Sequence, residues 1–145
     1  MGVERIEAVS PEVLEAVNEM IPQLSRSTGA LRMEDLEKVV HQEGVYLFGY
    51  RTEEGTLVGM LTLATFVIPT GVRAWIEDVV VLESARGQGA GQQLVEAAVA
   101  WAAEIGARTV DLTSRPSREA ANRLYVRCGF HTRETNVYRY QPERA

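Results

Sequence analysis

The apolar run Val79-Val80-Val81-Leu82 is followed, after three residues, by a glycine-rich turn, Arg86-Gly87-Gln88-Gly89-Ala90-Gly91, that opens straight into helical sequence. A β-branched run that is apolar on both faces needs cover above and below, which is the environment of a strand inside a sheet. Beyond the turn, Leu94, Ala98, Trp101 and Ile105 recur at helical spacing and Gly106 closes the pattern. Thr109–Thr113 then reads as another strand. Because a full helix separates it from the strand Arg73–Leu82, the two can lie parallel through a right-handed crossover.

The preceding half of the chain supplies antiparallel neighbours. Val3–Val9 reads as a short first strand, and Ser10-Pro11-Glu12 as a helix start with a capping hydroxyl, Pro at the first position and an acid at the positive end. Leu14, Val17, Ile21 and Leu24 continue that helix until Pro22 kinks or ends it. A second helix carries Met33, Leu36 and Val40 and closes near Gly44. Val45–Tyr50 and Leu57–Ile68 are strands joined by the hairpin turn Thr52-Glu53-Glu54-Gly55, and Pro69-Thr70-Gly71 makes the next turn. Ser117–Cys128 is a last helix and Val137–Tyr140 a terminal strand. The pattern predicts a mixed sheet of α+β (α/β mixed) type. With no linker or repeat in 145 residues, residues 1–145 are expected to form a single domain.

Several function classes fall away. A 46% hydrophobic, 24% charged composition is that of a globular chain, and charge interrupts every apolar run well before the ~18 residues a membrane span needs. The amino terminus shows no signal-peptide core, so a cytoplasmic location is expected. One cysteine excludes an internal disulfide framework, and two histidines offer no zinc spacing, so no metal is expected. No Gly-x-Ser-x-Gly elbow is present. Cys128 and His131 invite a Cys–His nucleophile reading, but a small residue closing an amphipathic helix is more often simply buried. The net charge of -5 argues against nucleic acid as a partner, yet residues 108–145 carry eight arginines against four acids while the rest is strongly acidic.

The glycine-rich turn suits an anion. Glycines let successive N–H groups converge, and the helix start adds free N–H groups and the positive end of its dipole. A dinucleotide fingerprint fails because Gln92 occupies its last glycine position, and the Gly-Lys-Ser/Thr of a P-loop is missing. Farther on, Asn122 and Tyr125 lie three apart on one helix face, with Leu124 and Cys128 on an apolar side.

Arg86-x-x-Gly89-x-Gly91 after a strand ending Val79-Val80-Val81, with Asn122-x-x-Tyr125-x-x-x-Gly129-Phe130 following it, resembles the GNAT superfamily of acyl-CoA-dependent N-acetyltransferases. The two motifs span about residues 76–130. The resemblance implies the GNAT fold: a central mixed, mostly antiparallel sheet with two parallel central strands splayed apart, flanked by about four helices. It implies acetyl-CoA as cosubstrate, with the pyrophosphate on Arg86, Gly87, Gln88, Gly89, Ala90, Gly91 and Gln92. The backbone of Val79, Val80 and Val81 would bond the pantetheine arm, Asn122 would contact that arm, and Tyr125 would be the general acid near the sulfur.

Direct transfer to a primary amine then sets three demands. A free primary amine, with a pKa near ~10.4, is mostly ammonium at neutral pH and must lose a proton. Negative charge developing on the carbonyl oxygen must be stabilised, and the leaving thiolate protonated. Tyr125 answers the last demand and a backbone N–H near Val79 the second. Strict alternation puts Glu77 and Asp78 on opposite faces, so only one would reach the cleft; Glu77, whose position resembles the base used by several family members with an Ile-Glu-Asp stretch there, is the expected base, directly or through water. The resemblance builds the acceptor pocket from Leu24–Arg32, Phe66–Arg73 and Arg133–Tyr138. Arg115, Arg118 and Arg123 are placed to reach the CoA phosphates, and the acidic remainder suits a cationic acceptor, either a small-molecule amine or a peptide amine. The alternatives are a non-catalytic acyl-CoA-binding module and a protein N-terminal or lysine acetyltransferase. Family members often dimerise, and the C-terminal strands or the hairpin edge offer routes to a homodimer.

Overall fold

Ser10 starts the first helix as its sequence predicts. In the structure, a computed structural model that describes residues 2–143, Ser10 Oγ accepts a hydrogen bond from the Val13 N–H at 3.2 Å, and Pro11 opens α1 (Pro11–Met20). Pro22 has no N–H to offer, and the chain tightens into a 3-10 turn over Ile21–Gln23. The second helix, α2 (Met33–Val40), stops earlier than Gly44. Asn18 fastens the segment between them: its Nδ2 donates to the Leu31 carbonyl at 3.1 Å, and its Oδ1 accepts from the Leu31 N–H at 2.8 Å.

Five strands, β1 (Gly2–Arg5), β2 (Val45–Arg51), β3 (Leu57–Ile68), β4 (Gly71–Val81) and β5 (Ala107–Asp111), lie in the order β1-β2-β3-β4-β5. The first three pairings are antiparallel. The last, β4 with β5, is parallel, and α3 (Ala90–Glu104) makes the crossover. After β5 comes α4 (Glu119–Arg127). This is the mixed sheet with four helices that the sequence predicts. Two expectations are corrected. The first strand is shorter than Val3–Val9, although the Ile6 N–H still donates to the Leu47 carbonyl at 2.7 Å. Val137–Tyr140 forms no strand: residues 131–143 carry no regular structure and are exposed throughout, so the parallel pair stands at one end of the strand order.

Each sheet face has its own core. On one, α3 lays Leu94, Val95, Ala98 and Ala102 against Phe48, Leu61, Leu63, Ala74 and Ile76, and Leu124, Tyr125 and Phe130 pack onto the same cluster. On the other, Val13, Val17 and Met20 of α1 and Leu36 of α2 cover Leu47, Leu57, Met60 and Val80. Arg51 ties β1, α1 and the β2–β3 hairpin together, bonding Glu4, both carboxylate oxygens of Glu12 and the Gly55 carbonyl. The two carboxylates raise the guanidinium pKa further above its ordinary value, Glu12 foremost.

Candidate active site

The site begins where β4 loses a neighbour. Its register with β5 runs from Val72 opposite Ala107 to Trp75 opposite Asp111 and goes no further. From Ile76 to Val81, β4 is laddered to β3 alone, so its backbone groups on the β5 side stand free of the sheet. The strands part here, as the resemblance implies. Strand backbone that is neither paired nor deeply buried is a ready partner for an extended ligand.

A bulge lies at the mouth of this opening. Thr62 opposes Glu77 and Met60 opposes Val80, so Leu61 alone faces both Asp78 and Val79. Asp78 takes the left-handed region at φ 51°, the only described residue other than glycine with positive φ. The extra residue shifts the phase of alternation. Before it, Ala74 and Ile76 face the α3 core; after it, Val79 and Val81 do, while Val80 enters the α1–α2 core. The extra residue falls at Asp78 and Val79, after the regular pair Thr62–Glu77, so alternation carries from Ile76 to Glu77 and breaks beyond it, and both acidic side chains are exposed.

Below the opening lies the glycine-rich turn. Leu82 donates its N–H to the Val58 carbonyl at 2.8 Å, and a 3-10 turn over Glu83–Ala85 leads to Arg86. Gly87 and Gly89 adopt φ 84° and 78°, which only glycine takes without strain. Gly89 is the N-cap of α3 and brings no capping side chain, so the first-turn N–H groups have no intrahelical acceptor. Gln88 is exposed, Ala90 is buried and anchors the helix, and Gln92 is half-buried. Arg86 turns back: its Nε donates to the Val81 carbonyl at 3.3 Å and its Nη2 to Gln23 Oε1 at 3.1 Å. It braces the turn against β4 and the 3-10 turn that follows α1.

Gly91 explains how α4 comes so close. A β-carbon there would lie 3.1 Å from Leu124 Cδ2 and 4.0 Å from Val81 Cγ2, so its absence lets α3, α4 and β4 meet. On α4, Asn122 Nδ2 donates to the Arg115 carbonyl at 3.0 Å and holds the preceding loop. Tyr125 packs into the α3-side core and meets Phe130 edge to face at 6.1 Å. Burial raises its phenol pKa above the ordinary value, with the Arg118 charge pulling the other way. Arg115, Arg118 and Arg123 are exposed.

The alternative nucleophile fares poorly. Burial, with help from Glu96, pushes the Cys128 thiol up, away from the reactive thiolate, and His131 is exposed and not hydrogen-bonded to it among the described residues. Of the three acceptor segments, Leu24–Arg32 is fastened by Asn18 and Phe66–Arg73 forms the β3–β4 turn, whereas Arg133–Tyr138 lies outside both cores. Two features escape sequence reading: the bulge, which has no residue signature beyond an Asp tolerant of positive φ, and the inward brace of Arg86. No helix among the described residues is long and apolar enough to cross a membrane.

Comparison with known proteins agrees with this geometry. Residues 13–130 match the model of the Acetyltransferase (GNAT) family. The uncharacterized N-acetyltransferase YhdJ of Bacillus subtilis (strain 168) is 33% identical over 110 residues, covering 74% of this chain and 75% of that one. Among solved structures, the aminoglycoside acetyltransferase meta-AAC0020 from an uncultured soil metagenomic sample superposes with a TM-score of 0.84 at 22% identity, over 98% of this chain and 95% of that one. Glucosamine-6-phosphate N-acetyltransferase from Arabidopsis thaliana gives 0.79 at 19% identity, over 97% and 99%.

Proposed function

Because the chain belongs to the GNAT acetyltransferase family, whose cosubstrate is acetyl-CoA, we propose that it moves the acetyl group to a primary amine by direct attack in a ternary complex. The observation that carries this reading is the unpaired stretch Ile76–Val81 lying beside the uncapped start of α3. Together they offer free backbone for an extended arm and converging N–H groups for a diphosphate, so the residues fit the cosubstrate.

When bound, acetyl-CoA supplies a thioester carbonyl and a thiolate leaving group. In our assignment the N–H groups from Gly87 to Gln92 hold the pyrophosphate, with Arg86 shaping the turn through its brace. Val79, Val80 and Val81 align the pantetheine through their backbone, and Asn122 borders it from α4. Tyr125 protonates the departing sulfur. Its raised pKa serves that role, since a phenol that holds its proton is the acid form across the neutral range. A backbone N–H beside the bulge at Val79 stabilises the carbonyl oxygen. Glu77 takes the proton from the amine, directly or through one water. Alternation from the inward-facing Ile76 puts it on the α1–α2 side, opposite Tyr125, so base and acid approach the carbonyl from two sides.

The acceptor we assign is a small-molecule amine. The two solved neighbours named above are an aminoglycoside acetyltransferase and a glucosamine-6-phosphate N-acetyltransferase, and the exposed Glu77 and Asp78 suit a cation. Free-thiol release with an amine panel, run beside a peptide array, tests this. Thiol release with small amines alone supports it; incorporation only into peptides assigns the chain to protein acetylation; tight CoA binding without release under any acceptor identifies a binding module. Tyr125→Phe is expected to lower turnover at least tenfold while CoA affinity holds.

A further inference from the structure

One strip of the sheet on the α1–α2 side lies outside both cores. Leu47 enters the α1–α2 core and stands opposite Thr62, which stands opposite Glu77, so the register assigns all three to one face. Two residues back along β4 comes Trp75, opposite Ala64, and two further back Arg73, opposite Phe66. Neither Trp75 nor Phe66 joins either core, and Phe66 is 43% exposed. Starting from Glu77, the strip therefore runs acid, aromatic pair, arginine.

Each end carries its charge doubled. Asp111 of β5 stands opposite Trp75 and adds a second acid near Glu77. At the other end Arg73 donates from Nη2 to Thr70 Oγ1 at 2.9 Å, and Arg108 donates from Nη1 to the Thr70 carbonyl at 3.2 Å. One threonine thus gathers both guanidinium groups. A β-carbon on Gly71 would lie 2.7 Å from Arg108 Cδ and 3.4 Å from Arg73 Nη1, which makes the two side chains neighbours. None of these four charged groups forms an ion pair among the described residues. Like charges gathered without a partner repel one another, and a ligand of the opposite polarity relieves both ends.

We infer that the acceptor is a bipolar amine. Its amino group sits at Glu77, an aromatic or other apolar body lies over Trp75 and Phe66, and a carboxylate or phosphate at its far end is held by Arg73 with Arg108 beside it. Four strand residues separate Glu77 from Arg73, about 13 Å at ~3.3 Å each, and both side chains reach over part of that span. Amine and anion must therefore stand at opposite ends of the molecule, which excludes α-amino acids, whose two charges share one carbon. Arg73 is far from the reacting atoms and acts on the choice of acceptor, not on the transfer. The inference rests on the acetyl-transfer reading for its amine end.

Two probes test it: para-aminoethylbenzoate, and phenethylamine, which is the same amine without the carboxylate. Binding of each is measured by calorimetry on the unaltered chain, with and without saturating CoA. The chain has two tryptophans and Trp101 packs onto the α3-side core, so Trp101→Phe leaves Trp75 as the sole indole to report quenching. The expected result is quenching by the benzoate and at least tenfold weaker binding of phenethylamine, the loss of one charge-assisted contact. Arg73→Gln, checked for folding by circular dichroism, is expected to bind the two alike. Equal affinities on the unaltered chain overturn the inference without any variant, as does a preference that survives in Arg73→Gln. Thiol release from acetyl-CoA separates this inference from the reading beneath it. The expected binding preference without release keeps the strip and removes the transfer chemistry. Release at equal kcat/KM from both amines keeps the chemistry and removes Arg73 from the choice of acceptor.

Discussion

From Val72 to Trp75, β4 is laddered on both sides, to β3 and to β5, and behaves as the interior of a sheet. From Ile76 to Val81 the same strand keeps β3 but has no β5, and it adds a bulge with a left-handed Asp78. The two stretches also differ in composition: Val72–Trp75 holds one β-branched residue and an arginine, whereas Ile76–Val81 holds four β-branched residues and two acids. The difference that counts is whether the backbone is spoken for. In the first stretch every polar group works for the sheet; in the second, one row is left for something else. The division is made by where α3 delivers β5, whose register with β4 stops at Trp75.

Four changes would break or sharpen that contrast. Leu63 opposes Ile76 at the boundary and is fully buried, so Leu63→Ala is expected to lower stability by about 2–5 kcal/mol in denaturant titration. A loss of CoA affinity without loss of stability would deny the boundary its structural role. Tyr125→Phe, which touches only the open half, is expected to cut turnover by about ten- to a hundredfold, ~1.4–2.7 kcal/mol, and leave denaturation almost unmoved. The same residue sets a pH signature. Its raised pKa means the acid form persists through neutrality and is lost only as pH rises through a value above the ordinary 10.0, so the wild-type rate should fall there, in a limb missing from the variant. An unchanged alkaline limb in Tyr125→Phe would remove the phenol from that role.

Next comes a matched pair of glycines. Gly89, at φ 78°, starts α3 at the open end; Gly106, at φ 86°, follows its far end. Alanine at either is expected to cost about 1–2 kcal/mol for the left-handed backbone. Only Gly89→Ala should weaken CoA binding, by roughly tenfold, and equal effects in calorimetry would sink the cradle assignment. The smallest effect is expected from neutralising the exposed Arg115, Arg118 and Arg123: a few-fold loss of CoA affinity at low salt, fading toward physiological ionic strength as screening takes over.

How legible was this in the sequence? Helix starts with a local chemical cause were readable, as Ser10 and Pro11 show, and so was the strand–turn–helix unit around Gly87 and Gly89. Both motifs were visible because left-handed turns and close helix contacts admit few residue types. The bulge was not, since a phase shift over one residue is invisible to alternation counting. The terminal strand at Val137–Tyr140 is expected from propensity, yet propensity describes only a willingness to pair, and this segment joins no sheet among the described residues. Glu77 and Asp78 are readable as two acids just before the apolar run, whereas the irregularity that begins after Glu77 is not.

Gly91 has a consequence beyond packing. With Leu124 Cδ2 only 3.1 Å from where its β-carbon would be, the start of α3 and the middle of α4 have no slack between them. In the proposed assignment these elements grip opposite ends of the donor, the diphosphate at one and the sulfur at the other. Under that assignment the pair of helices would act as a gauge, selecting a thioester by the length between its diphosphate and its sulfur. Acetylated pantetheine, which keeps the sulfur but lacks the diphosphate, should be aligned poorly and used only at far higher concentration. Gly91→Val, by forcing the helices apart, should blunt the preference for the intact donor rather than abolish the chemistry.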